Sequence, residues 1–170
     1  MFGFKNRGKD DQKNFDDDTQ QLPVAPGTEI TYKDSLIVKY QQEHQHLQSL
    51  FNDALGALQQ VDNPALVKKL RELQIALRRH LLDEELNFYI YLRHCYGQDK
   101  AKQELITKFK KLSKRVGMET FEFIGKVSAE AFQISSDESF VAELLEVGNK
   151  LQSLLEAEEH LLYPIYKKPA

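Results

Sequence analysis

Tryptophan is absent from this chain, cysteine occurs once and proline five times in 170 residues. A single cysteine, Cys95, cannot form an intramolecular disulfide, so the fold must be held by its own core, and a reducing, cytoplasmic setting is expected. No run approaches the roughly 18 apolar residues of a membrane helix, so no transmembrane segment is expected, and no secretory hydrophobic stretch follows Met1. Positive charge is not in excess: 23 Lys and Arg face 26 Asp and Glu, a net charge of -3. That balance argues against a nucleic-acid partner. The alternating Val, Ile and Thr of strands are missing too. What remains is rich in Leu, Glu, Gln, Lys and Ala, the vocabulary of an all-α protein.

Residues 1–30 read as a disordered N-terminal tail. Asp10, Asp11, Asp16, Asp17 and Asp18 show no periodicity, and Pro23, Pro26 and Gly27 break any helix. Residues 31–170 read as one domain of four amphipathic helices. The first runs from a cap at Asp34 to about Gln60, with an apolar stripe of Ile37, Tyr40, His44, Leu47, Phe51, Ala54 and Leu58. Asn63 and Pro64 start the second, which continues to Tyr96 before Gly97; its stripe includes Leu66, Leu70, Leu73, Leu77, His80, Glu84, Asn87 and Tyr91. Asp99 caps the third, whose stripe passes Leu105, Phe109, Leu112, Val116, Glu119 and Phe123 to Ala131 and Ile134. Its lysines at 108, 110, 111 and 114 read as a solvated face. Ser135 and Glu138 form a capping box for the fourth, striped by Phe140, Leu144, Val147, Leu151, Leu154, Glu158, Leu161 and Ile165. Short turns between long helices give an antiparallel up-down-up-down four-helix bundle.

Four stripe positions are ionisable: His44, His80, Glu84 and Glu158. His80 and Glu84 stand one helical turn apart on one face. His44 lies 18 residues before Asp62 and His80 lies 18 after it. At about 1.5 Å per residue both sit roughly 27 Å from that turn, at one height. Counting from Gly97 and Ser135 brings Glu84 and Glu158 to the same layer, beside Leu112, Val116 and Leu154. Burying such charges unpaired costs several kcal/mol each. Two readings satisfy them. Two imidazoles and two carboxylates can hold a divalent metal, or they can form a buried His–Glu network that fixes helix register.

Glu43-His44, His80-x-x-x-Glu84-Glu85 and Glu158-Glu159-x-x-Leu162-Tyr163-Pro164 resemble the hemerythrin family, also called HHE cation-binding domains, over residues 34–167. That resemblance implies a four-helix bundle with a non-haem di-iron centre that binds oxygen or senses redox state, and it implies ligand roles for His44, His80, Glu84 and Glu158. The chain departs from the pattern where the family's third helix supplies histidines, since Leu112 and Val116 stand there, and at Leu154 in the fourth. The site is therefore expected to hold at most one metal: iron, or less favourably manganese or zinc. The implied function is oxygen, redox or metal sensing with a diatomic gas as ligand. The alternative is a metal-free bundle acting as an interaction or regulatory module for a protein partner. No nucleophile with its base and no phosphate loop signals an enzyme. Leu145, Leu155 and Leu162 widen the last apolar face toward the core edge or a homodimer contact, and Cys95 reads as a passive half-buried thiol.

Overall fold

The computed structural model describes residues 24–129 and 138–168, and among them secondary structure is helical apart from one isolated bridge between Val24 and Thr31. Helix α1 spans Leu36–Gln59 and α2 spans Asn63–Asp83. The Asp62 side chain caps α2 by accepting from the Ala65 N–H at 3.0 Å, with Pro64 in the first turn, so the cap falls one residue before Asn63. Val61 turns the chain in a left-handed conformation (φ 57°). A π-helical turn, Glu84–Tyr89, carries α2 into α3 (Ile90–Cys95). Helix α4 spans Lys100–Ala129 and is capped by Asp99, which accepts from the Lys102 N–H at 3.1 Å, as expected. Helix α5 (Glu138–Ala157) ends in a second π-helical turn, Glu158–Leu162, and a 3₁₀ turn, Tyr163–Ile165. Asp34 is not the first cap: Ser35 holds that position and Asp34 pairs with Lys168 at 3.8 Å. Ser135, Ala131 and Ile134 lie outside the described residues, as does the expected tail up to residue 23.

The rods pack α1 on α2, α2 on α4 and α4 on α5, forming a helical bundle. Its core has two parts. One contains Leu47, Leu66, Leu77, Phe123, Leu144 and Leu154. The other is aromatic and contains Tyr40, Phe88, Tyr91, Phe109, Tyr163 and Tyr166. The four polar stripe residues fall between them. His44 sits between Tyr40 and Leu47, His80 and Glu84 between Leu77 and Phe88, and Glu158 between Leu154 and Leu162.

Each π turn inserts one extra residue and rotates everything after it. The expected stripe through Asn87 therefore gives way to buried Phe88 and Tyr89, while Asn87 turns outward to donate to Asp83 Oδ1 at 3.0 Å. The expected Leu161 is 56% exposed, and Leu162 and Tyr163 are buried in its place. Leu155 and Leu162 belong to the core, whereas Leu145 stays exposed.

Residues 24–33, most of which the composition assigns to the tail, form a clasp over the aromatic end. Gly27 (φ 71°) turns the chain, the Ala25 N–H donates to the Ile30 carbonyl at 2.9 Å, and Ala25 is buried. Tyr32 stacks on Tyr166 with centroids 4.9 Å apart, and the Lys33 N–H donates to the Tyr166 hydroxyl at 3.0 Å. Here Pro26-Gly27 makes a tight turn rather than a linker. No helix among the described residues is long and apolar enough to cross a membrane.

Helices α1 and α5 meet where Gly148 lacks a side chain. A Cβ there would lie 2.0 Å from Phe51 Cζ. Gly148→Ala should lower stability by about 1–3 kcal/mol through overpacking, and Phe51→Leu in the same chain should restore most of it. Denaturant midpoints for the two variants check this; an unchanged midpoint for Gly148→Ala would mean that Phe51 swings aside freely.

Candidate metal centre

The bundle brings His44, His80, Glu84 and Glu158 together, each 2% exposed or less. Each offers one donor atom, and the four atoms lie within 4.8 Å of one another. The heights read from the turns thus converge, as the sequence expects.

Each imidazole is fixed from behind. His80 Nδ1 is 2.8 Å from Glu43 Oε2 and His44 Nδ1 is 2.8 Å from Glu159 Oε1. An ionised carboxylate only accepts, so each Nδ1 carries the hydrogen and each Nε2 is left as a lone pair. Those two Nε2 atoms face each other 3.1 Å apart. Glu84 Oε2 lies 3.7 Å from His80 Nε2, and Glu158 Oε2 lies 3.7 Å from His44 Nε2. Both of these buried oxygens lack a hydrogen-bond partner. The other oxygen of each glutamate is held by a phenol: the Tyr163 hydroxyl donates to Glu84 Oε1 at 2.8 Å and the Tyr89 hydroxyl to Glu158 Oε1 at 3.4 Å.

Two π turns supply this arrangement, and each begins at a glutamate of the site. They leave backbone carbonyls outside the regular ladder. Tyr40 donates to the Asp83 carbonyl at 3.2 Å, while its ring meets the His80 ring edge-on at 5.5 Å.

Burial raises the affinity of Glu84 for its proton and raises that of Glu158 well above the usual carboxylate range, where the Glu84 charge adds to the effect. Burial, and then the repulsion that two protonated rings side by side would meet, pushes His44 down to about 3. Burial first and the two glutamates next push the Tyr163 hydroxyl up, so it keeps its proton when no cation is present. By contrast, the hydrogen bond from His80 holds Glu43 below its ordinary value despite its partial burial.

The donor set suits a cation. Donors bonded to one ion at about 2.1 Å and at right angles stand roughly 3.0 Å apart, close to the 3.1 Å between the two Nε2 atoms. Two lone pairs and two partnerless carboxylate oxygens are what a buried divalent ion would satisfy, so this group could hold a metal ion.

Helix α4 contributes no donor to this group. Val116 is buried in the apolar core and Leu112 packs against it, while the Ser113 side chain hydrogen-bonds Tyr89. Glu119 pairs outward with Lys150 at 3.0 Å, and His160 is exposed, with Nδ1 2.7 Å from the Glu156 carbonyl. The Cys95 thiol is half-buried and burial raises its pKa, as a passive thiol requires. Sequence periodicity missed the orienting roles of Glu43 and Glu159 and the phenols of Tyr89 and Tyr163. A glutamate next to a seam histidine or seam acid was the available signal for the first two.

Glu43→Gln and Glu159→Gln can each place an amide nitrogen against Nδ1 and so disturb which ring nitrogen carries the hydrogen. Each should weaken metal binding by about 10–100-fold while the fold persists, as calorimetric titration with zinc would measure. Wild-type affinity in both variants would mean that these carboxylates do not orient the rings.

No family model matches the chain, and neither a curated protein nor a solved structure matches it.

Proposed function

We propose that this chain is a hemerythrin-like bundle that holds one divalent metal, iron in preference to manganese or zinc, and senses oxygen or redox state through it. The observation that carries this reading is the pair of Nε2 lone pairs facing each other at 3.1 Å with two partnerless carboxylate oxygens beside them. A shared proton would relieve the imidazole pair only as an imidazolium, and burial pushes His44 down to about 3. A divalent ion satisfies all four atoms and leaves the unit formally neutral. Nitrogen and oxygen donors in equal number suit ferrous iron.

The protein's part is binding and positioning. Glu43 and Glu159 aim the two rings, and Tyr163 and Tyr89 tie down one oxygen of each glutamate so that the other points inward. The flanking apolar clusters keep bulk water away. When bound, iron supplies one-electron exchange and open positions for a diatomic gas. A groove of roughly 420 Å³ beside α2 and α4 is lined by Leu81, Leu82, Tyr89, Ser113 and Met118, and Tyr89 in turn hydrogen-bonds Glu158. A reducing cytoplasm would keep such iron ferrous.

The same reading takes the rods as running up-down-up-down. Its support is the order of cross-rod pairs. Lys39–Asp83, Glu43–His80 and Asp53–Lys69 climb along α1 and descend along α2, and Glu119–Lys150 and Lys126–Glu143 do likewise for α4 and α5.

Nitric oxide added anaerobically to ferrous-loaded protein should give an iron–nitrosyl electron paramagnetic resonance signal. Iron retained without that signal would remove gas sensing from the proposal.

A further inference from the structure

Tyr163 is held from three sides. Its ring stacks on His44 (5.4 Å, 28°), meets Phe88 edge-on (5.3 Å, 86°) and lies against Tyr40 at 5.9 Å. The π turn Glu158–Leu162 sets it there, and it is 3% exposed. Its hydroxyl lies 2.8 Å from Glu84 Oε1 and 2.9 Å from His44 Nε2. One hydroxyl hydrogen cannot serve both acceptors fully. The second contact is with the very lone pair that faces the centre. Its 2.9 Å length also matches the roughly 3.0 Å between neighbouring donors on one ion. Tyr89 differs: its hydroxyl reaches Glu158 at 3.4 Å and is shared with Ser113.

We propose that Tyr163 Oη is a fifth protein donor to the metal, binding as a phenolate when the ion is trivalent; this rests on the metal-binding reading above. A trivalent ion held by two neutral imidazoles and two carboxylates keeps one uncompensated positive charge in a dry core, and a phenolate removes it. With a divalent ion the unit is already neutral and Tyr163 keeps its hydrogen. Oxidation then couples one electron to one proton. The ferrous ion gives its electron to a one-electron oxidant, the Tyr163 O–H bond breaks, its proton passes to the buffer, and an Oη–iron bond forms. Such a centre records oxidation without accumulating buried charge, which is what a redox sensor requires.

The test loads the full chain with ferrous ion anaerobically and oxidises it with stoichiometric ferricyanide, which becomes ferrocyanide. Iron content and the visible spectrum are read on wild type, Tyr163→Phe and Tyr89→Phe, with circular dichroism to confirm folding. The expected result is a phenolate-to-iron charge-transfer band in wild type and Tyr89→Phe, lost in Tyr163→Phe with iron still bound. Wild type that holds ferric iron without the band, or a band that survives in Tyr163→Phe, overturns the assignment of Tyr163 alone. Wild type that holds no iron overturns the metal site and this assignment with it. If Tyr163→Phe does not fold, resonance Raman on wild type decides: phenolate modes uphold the proposal and their absence overturns it.

Discussion

Purified without chelators, the wild-type chain should carry about one equivalent of transition metal and His80→Ala essentially none. His80 supplies one of the two facing lone pairs, and its loss also frees Glu43 from the contact that fixes the ring. Three donors then remain in a pocket too large for the ion. Thermal stability reads the same event. Ligand at a thousandfold excess over Kd stabilises the folded state by about 4 kcal/mol. For a chain of this size that is roughly 10 °C in Tm. Wild type stripped with chelator should regain that shift on anaerobic addition of ferrous ion, and His80→Ala should not respond. Equal responses, or none in either protein, would count against the site. Proton release should accompany uptake, because burial raises the proton affinity of Glu84 and Glu158 in the metal-free state and a metal binds their ionised forms.

Glu158→Gln should stabilise the metal-free protein at alkaline pH and destabilise it, relative to wild type, once metal is present. The folded-state pKa of Glu158 is raised above 4.5, so above that pH the folded chain binds more protons than the unfolded one. Stability from this group is therefore complete below pH 4.5 and is lost as pH rises. His44 acts in the other sense: its folded value falls from 6.5 to about 3, so its contribution is lost only as pH drops below 6.5. Each of the two glutamates then lowers stability as pH rises, by at most about 1.4 kcal/mol per pH unit. The glutamine variant removes one of them, and its amide faces His44 Nε2 from the position of Glu158 Oε2. Melting curves in chelator from pH 6.5 upward should diverge, with the variant higher at about pH 8. The order should reverse with zinc added. Parallel curves would show that Glu158 is not held protonated in the fold.

The four central residues are legible in the sequence because each breaks an apolar stripe. Two histidines 36 residues apart across a sharp turn, and an acid on an otherwise leucine-rich face, place themselves by helical rise. The groups that make them a centre are less legible. Glu43 and Glu159 sit one position off their seams, where a glutamate ordinarily faces water. Their side chains are partly exposed here, 20% and 31%, and still reach inward. Tyr89 and Tyr163 are hidden for another reason. They lie at the end of, or just after, the π turns that shift the register, and a strict three-and-four count puts Asn87 and Leu161 inside instead. Nothing in residue propensity announces a π turn. The clasp at residues 24–33 looks like linker because Ala25, Ile30 and Tyr32, which join it to the aromatic core, follow no helical or strand period.

Crystals grown with zinc and measured on both sides of the zinc absorption edge test the central claim most directly. One anomalous peak should appear, bonded to His44 Nε2, His80 Nε2, Glu84 and Glu158. No peak between those residues, or a pair of peaks requiring donors from α4, would contradict it.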